Sequence, residues 1–261
     1  MDWLRSLITL VGGAGAAVAL VFAFRADPPA PARADSTSRP RDPIPVMVPP
    51  QPFLAPRREE PAATPAAERV LETLAGVREN LRETRYQHRT VVRERRGKYL
   101  WDCSGMADWV LRRAARRAQR ALHRERPVAR TFFRTIDRAP TDRARRGWQK
   151  IAHIEDVRPG DVFAWLRPPN WPRRNTGHVG FVLEAPRRVN HWPGAYVVRI
   201  ADSTSVPHQD DTRDLRGEGG YGEGTILWMT DGAGTALSYG WFGALSPGVV
   251  ETRAVFGRVH R

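Results

Sequence analysis

Apolar and polar positions divide the chain into three stretches with different periods. From Leu7 to Phe24, eighteen residues run without a charge (LITLVGGAGAAVALVFAF). That length suits either a membrane-spanning helix or a long signal-peptide core. Gly12, Gly13 and Gly15 weaken helix propensity, although transmembrane helices tolerate glycine. A small-x-small cleavage site, Ala32-Arg33-Ala34, lies rather far beyond the apolar run, so an uncleaved anchor is the preferred reading. Residues 27–65 lose apolar periodicity altogether, and twelve of the 22 prolines fall between Pro28 and Pro65. Such a segment cannot bury a core and reads as a Pro/Ala-rich disordered linker. At about 3.1 Å per residue its polyproline form would reach ~120 Å. The chain therefore divides into an anchor or signal over 1–26, a linker over 27–65 and a folded domain over 66–261.

The folded part opens with helical spacing. Thr64 suits an N-cap with Pro65 at the first helical position, and Val70, Leu74, Val77 and Leu81 recur on one face. A second helix is expected from Cys103 to about Arg124. Its apolar face carries Ala107, Val110, Leu111, Ala114, Ala118 and Leu122, and arginines 112, 113, 116, 117 and 120 form a solvated face. A third helical stretch is expected over about 141–153, ending before the turn Arg158-Pro159-Gly160-Asp161. The period then shortens to that of strands: 161–166, 178–185, 196–202, 226–230 and 235–241 (these two joined by DGAG), and finally 252–260. Helices first and antiparallel strands afterwards make an α+β order.

Charge adds a partner question. The chain carries 42 Lys+Arg against 28 Asp+Glu, a formal charge of +14. Such a balance favours anionic surfaces, or reflects arginine used wherever a solvated cation suffices. Neither an aromatic-interleaved basic motif nor a nucleic-acid module appears, so nucleic acid is not an expected partner. Arg5 precedes the apolar run whereas Arg25, Arg33, Arg39 and Arg41 follow it. The positive-inside rule alone would thus put the domain in the cytoplasm, against the envelope location argued below. The sequence sets no oligomeric state.

The only cysteine, Cys103, stands in WDCSGMADWVL (101–111). With Asp102 as N-cap it occupies the first helical residue, where unpaired backbone N–H groups favour negative charge and could hold an oxyanion. Ser104 and Gly105 leave the helix start uncluttered. Of seven histidines, His178 opens an apolar strand after the turn Asn175-Thr176-Gly177. Pairing strands 178–185 and 196–202 about their ten-residue loop makes residue numbers sum to about 381. His178 then falls beside Asp202, which shares a face with Val198 and Ile200. Cys103, His178 and Asp202 would form a relay of nucleophile, base and orienting carboxylate. Asp202 could also merely cap the turn before Ser203-Thr204, and His191 and His208 are reserves for the third place. The stretch 205–224 reads as a mobile glycine-rich flap. Its His208-x-Asp210-Asp211 is a weak metal pattern, and neither metal nor cofactor is expected. Trp165, Trp171 and Trp192 are candidates for lining a groove.

DCSG opening a helix, RPGDVFAWL, and then GHVGFV beginning a strand together resemble the NlpC-type papain-like cysteine peptidases and amidases over residues 80–260. The separation of Cys103 and His178 is longer than the compact pattern, no glycine pair follows Tyr86, and the third polar residue is offered by ADST. The resemblance implies a papain-like α+β fold with the nucleophile helix packed on an antiparallel sheet. It also implies an oxyanion role for Tyr86 and amide hydrolysis in cell-wall peptides, through a thioester. The expected setting is the cell envelope, anchored through residues 7–24, or outside the cell if the signal is cleaved. Two other readings stay open: acyl transfer by the same residues, and a non-catalytic basic protein that binds an anionic polymer.

Overall fold

The computed structural model describes residues 54–169, 175–214, 217–241 and 248–261. The apolar run 7–24 and the linker up to Phe53 lie outside them, and among the described residues no helix is long and apolar enough to cross a membrane.

Helix α1 (Pro65–Asn80) starts as its sequence dictates: Thr64 Oγ1 accepts the Ala67 N–H at 3.0 Å, and Val70, Leu74 and Val77 are buried. A small sheet follows, built from β1 (Glu83–Tyr86), β2 (Val91–Arg93) and β3 (Lys98–Trp101) in the order β1-β3-β2. Periodicity did not reveal it, because its strands are only three or four residues long. Helix α2 (Cys103–Ala114) comes next, then a one-turn α3 (Arg116–Arg120). The single helix expected to Arg124 is therefore broken at Ala115 (φ −146°, ψ 63°). The cause is local: the Arg69 guanidinium donates to the Ala114 carbonyl at 2.7 and 3.0 Å, occupying an acceptor that a continuous helix would use.

Two further corrections fall in the arginine-rich middle. Residues 141–153 are not helical; Trp148–Ile151 form strand β4, with Trp148 and Ile151 buried. The helix of this region is α4 (Ala129–Asp137), whose Ala129, Phe132, Phe133 and Ile136 face the core. Trp148 belongs where it is because its ring is buried in the core and its Nε1 donates to the Ala118 carbonyl at 2.8 Å.

The remaining strands are β5 (Val162–Leu166), β6 (Gly177–Val182), β7 (Arg187–Arg188), β8 (Ala195–Thr204), β9 (Gly220–Thr230), β10 (Ala236–Gly240), β11 (Val249–Glu251) and β12 (Ala254–Val259). With β4 they form one sheet, ordered β11-β10-β9-β8-β6-β5-β12-β4, with β7 on β8. All its ladders are antiparallel; the β1–β3 pair of the small sheet is parallel. The chain is thus an α+β protein with a mostly antiparallel sheet and few helices.

Strand alternation sorts the core into two layers. Val162, Ala164, Val179, Phe181 and Ala201 join the residues buried by α1, α2 and α4. Phe163, Trp165, Val182, Ile200, Trp228 and Phe256 form a second, aromatic cluster. The Arg158-Pro159-Gly160-Asp161 turn ties the layers to the chain end. Gly160 (φ +85°) lies against the Ala67 backbone, where a Cβ would meet a carbonyl oxygen at 2.4 Å. The buried Asp161 carboxylate accepts from the Arg158 N–H at 2.8 Å and from Arg258 at 2.9 and 3.0 Å.

The last residues of the stretch read as linker are packed. Leu54 is buried and bridges to Val189, Arg57 pairs with Glu184 at 2.5 Å, and Glu60 pairs with Arg158 at 3.2 Å. Packing among the described residues therefore extends at least to Leu54, ahead of the boundary drawn at 66. Removing residues 1–53 takes away none of these contacts, whereas removing 1–63 uncovers the Leu54 site. The longer truncation should be less stable than the shorter by about 2–3 kcal/mol, the value of one buried leucine, measured by urea unfolding. Equal midpoints would show that the 54–63 segment contributes nothing.

Candidate active site

Cys103 is the first residue of α2 and is buried. Its placement is built from local chemistry. Asp102 caps the helix: its Oδ1 accepts from the Gly105 N–H at 2.7 Å and from the Ser104 hydroxyl at 3.0 Å, and its Oδ2 lies 3.1 Å from His88 Nδ1. Ser104 thus serves the cap. One residue further back, the Trp101 carbonyl accepts the Ser203 hydroxyl at 3.0 Å, which ties the segment before Cys103 to β8 beside Asp202.

His178 sits near the start of β6, where Gly177 (φ +131°) turns the chain into the strand. It is buried, and Trp165, Trp241 and Phe163 surround its ring, with centroids 4.9, 5.4 and 6.1 Å away. The expected register is nearly met: Phe181 pairs with Ala201 and Val182 with Ile200, one residue from the expected alignment. Two contacts complete a chain of three side chains. His178 Nε2 lies 2.7 Å from Asp202 Oδ2, and Cys103 is close enough to the imidazole to raise its pKa. Since Nε2 is taken by the carboxylate, Nδ1 is the nitrogen left for sulfur.

Asp202 is the most heavily bonded of the three and has no exposure to solvent. The same Oδ2 also lies 2.8 Å from Nε2 of His208, while Arg213 Nη2 donates to Oδ1 and, at 2.8 Å, to the Asp202 carbonyl. Arg213 is itself fixed, through Nε to the Gly220 carbonyl at 2.9 Å and through Nη1 to Asp211 at 2.6 Å. Asp211 in turn accepts the His208 N–H at 2.7 Å.

Burial would raise the Asp202 pKa, but the Arg213 charge and the two histidines hold it well below the usual carboxylate range. Burial would likewise lower the pKa of His178. Electrostatic attraction to Cys103 and the bond and charge of Asp202 outweigh it and raise the value to about 10. His208, equally buried, is lowered by that burial, with Arg213 opposing its charge, so it is the neutral histidine of the pair. Its Nε2–H donates to Asp202, while its Nδ1 is buried without a partner and its ring stacks on Trp241 at 3.9 Å. One carboxylate thus faces two histidines held in different protonation states by their surroundings.

The stretch 205–224 is not the flap its glycines suggested. Gly220–Gly224 belongs to β9 and pairs with β8, and His208 and Arg213 are buried. The alternation Gly220-x-Gly222-x-Gly224 leaves one strand face without side chains, and β1 at Gly220 and the preceding loop at Gly222 and Gly224 pack into that space. A Cβ at Gly222, the partner of Asp202 across the ladder, would meet Arg213 Cγ and Nε at 2.5 Å; one at Gly224 would meet His208 Cβ at 2.6 Å. Period-two glycine spacing is the signal by which this packing could have been read.

The other expected residues are dispersed. Tyr86 ends β1 opposite Trp101, two residues before Cys103, with its ring edge-on to His88 at 5.9 Å. Trp192 is exposed in the turn between β7 and β8, away from the rings around His178, and His191 is exposed beside it. Trp171 lies outside the described residues. Arg213 and Trp241, which sequence reasoning did not single out, contact the site directly. Among the described residues no group of three or more His, Cys, Asp or Glu is arranged to hold a metal ion.

This geometry makes Arg213 the counter-ion on which Asp202 depends. Arg213→Met leaves a buried carboxylate without its cation, a loss of about 3–5 kcal/mol in denaturant unfolding. Gly222→Ala should act in the same direction by displacing the guanidinium. An Arg213→Met protein as stable as the parent would show that Asp202 draws its stability elsewhere.

No protein-family model matches this chain, and neither a curated protein nor a solved structure does. The functional reading therefore rests on the site itself.

Proposed function

We propose that this chain is a cysteine hydrolase of amide bonds, tethered in the cell envelope and directed at cell-wall stem peptides, with the papain-like NlpC arrangement that its motifs resemble. The observation that carries the reading is the convergence of Cys103 at a helix start, the His178 imidazole that it influences, and the buried Asp202 carboxylate 2.7 Å from His178 Nε2. In this mechanism His178 holds the proton of Cys103, and the thiolate attacks the substrate carbonyl carbon. The displaced electron pair goes to the carbonyl oxygen, which meets backbone N–H groups at the start of α2. Asp102 occupies the Gly105 N–H, so Cys103 and Ser104 are the backbone donors left for that oxygen. Collapse of the tetrahedral species breaks the C–N bond, and His178 protonates the leaving amine. Water then gives a proton to His178 and attacks the thioester, which releases a carboxylic acid and restores the thiolate–imidazolium pair. Asp202 keeps the imidazole oriented and stabilises its charged form. Acyl transfer would differ only in the acceptor, an amine or alcohol in place of water.

A peptidoglycan digest read by mass spectrometry tests the reaction and its substrate together. Wild type should release peptide fragments with new carboxyl termini, and Cys103→Ala should release none. Incorporation of an added amine in place of water would identify a transferase instead. Asp202→Asn should lower the rate by about 10²–10⁴, the range of general acid–base contributions.

The raised pKa of His178 gives a pH dependence of known sign. A histidine charged up to about pH 10 supports the ion pair throughout the neutral range, so activity should fall on an alkaline limb near 10. The same shift favours the folded state. Its stabilisation is full below the unfolded value near 6.5 and is lost as pH rises through about 10. Cys103→Ala removes the charge that raises His178, so the alkaline loss of stability should begin at lower pH in that variant. Identical stability–pH curves for the two proteins would overturn the coupled pair.

A further inference from the structure

The catalytic reading leaves the arginine-rich stretch 123–150 without a role, and the structure gathers it around one groove of about 690 Å³. Along one wall, Arg130 and Arg134 on α4 and Arg138 at its C-cap repeat every four residues, spaced along the axis by about 6 Å. Arg124 and Arg126 close one side, and Arg145 and Arg146 reach in from the turn before β4. No Asp or Glu lines the groove. Among the described residues none of these seven guanidinium groups pairs with a carboxylate; Asp142 is engaged by Arg143, and Asp137 turns to Lys150 and Arg253. Elsewhere among the described residues the arginines are mixed: Arg158, Arg188, Arg213 and Arg258 each have a carboxylate partner, whereas Arg116, Arg117 and Arg120 of α3 have none.

Holding seven unpaired cations around one concavity is electrostatically costly, and an anion in the groove relieves that cost. The backbone supports the arrangement. His123 (φ 50°) and Arg146 (φ 53°) are two of the three non-glycine residues with positive φ among those described, and they meet at the groove, 3.3 Å apart. Conformations of this kind persist only where surrounding structure holds them.

We propose that this groove binds a linear phosphodiester polymer that carries no bases. The helical rise of about 6 Å between these positions suits phosphates separated by a short polyol better than directly fused phosphates. Thr131 and Thr135 add hydroxyls to the lining. The groove offers only the His123 imidazole as an aromatic surface, because Trp148 is buried, as are Phe132 and Phe133 on the inner side of α4. A nucleic acid would therefore find its phosphates neutralised but only one ring to support its bases. A concave row also suits a chain better than a flat bilayer. Its N-terminal end adjoins the strand that carries His178, since the Arg130 N–H donates to the Thr176 hydroxyl at 3.4 Å. A polymer held there would keep the enzyme against an anionic wall without occupying the cysteine site.

The test uses the full-length protein and a glycerol-phosphate polymer as probe. Binding is measured at several salt concentrations for wild type, for Arg130→Gln/Arg134→Gln/Arg138→Gln, and for Arg116→Gln/Arg117→Gln/Arg120→Gln. The last variant removes the same charge from α3, outside the groove. All substituted positions are exposed, and circular dichroism checks that each variant folds. The groove variant should bind at least about tenfold more weakly with a shallower salt dependence, because it releases fewer counterions, while the α3 variant stays within about twofold of wild type. Equal losses in both variants would reduce the effect to overall charge and overturn the proposal. So would a groove-dependent affinity for single-stranded DNA or for phosphatidylglycerol vesicles that exceeds the affinity for the polymer. Hydrolysis of a small soluble peptide should be unchanged in the groove variant, so failure of polymer binding and failure of the catalytic reading give different results.

Discussion

The centre of this molecule is organised by one requirement: a carboxylate with no access to water must be neutralised. Asp202 meets it with Arg213 on one oxygen and two histidines on the other. Taking a carboxylate out of water costs several kcal/mol unless such partners are in place, so the elements that supply them are fixed relative to one another. Strand β8 carries the acid, β6 carries His178, and the segment before β9 brings His208 and Arg213. The Ser203 bond to the Trp101 carbonyl then sets where α2 begins, and with it the position of Cys103. The site is a consequence of that buried charge as much as a feature laid upon the sheet.

The two histidines on Asp202 show how one residue type takes two states. Both are buried and both touch the same oxygen. His178 also faces Cys103, whose charge favours the imidazolium, whereas His208 is stacked under Trp241 with Arg213 nearby and stays neutral. A neutral donor to Asp202 leaves the carboxylate its charge for His178. His208 thus orients the orienting group, a role that its place in a glycine-rich stretch did not disclose. Arg213 acts one step further back, through Asp202, and touches neither the thiol nor the imidazole.

Local patterns that were strong in the sequence survive in the structure. Thr64-Pro65 starts a helix, Asp102 caps the helix that Cys103 opens, and each stretch read as a strand overlaps a strand of the large sheet. The arithmetic that set His178 beside Asp202 worked because antiparallel register changes little once the connecting loop length is known. Failures came where a distant group overrode a local preference. Arg69 takes the Ala114 carbonyl and ends a helix whose periodicity runs on. Trp148 is drawn into the core and makes a strand of a segment that reads as helix. Leu54 buries itself against Val189, although proline-rich surroundings mark it as linker.

The sequence by itself determined the α+β order, the cysteine at a helix N-terminus, the histidine at a strand start and the acid within reach of it. These follow from periodicity, capping and ladder geometry, which act over a few residues or across one hairpin. Tertiary structure alone decided that the period-two glycines of β9 are a packing surface rather than a flap. It alone brought Arg213 under Asp202, and it gathered scattered arginines around one groove. Those outcomes depend on which side chains meet after the chain has turned back on itself several times. A cation's partner, or its lack of one, is settled by that encounter and leaves no local trace.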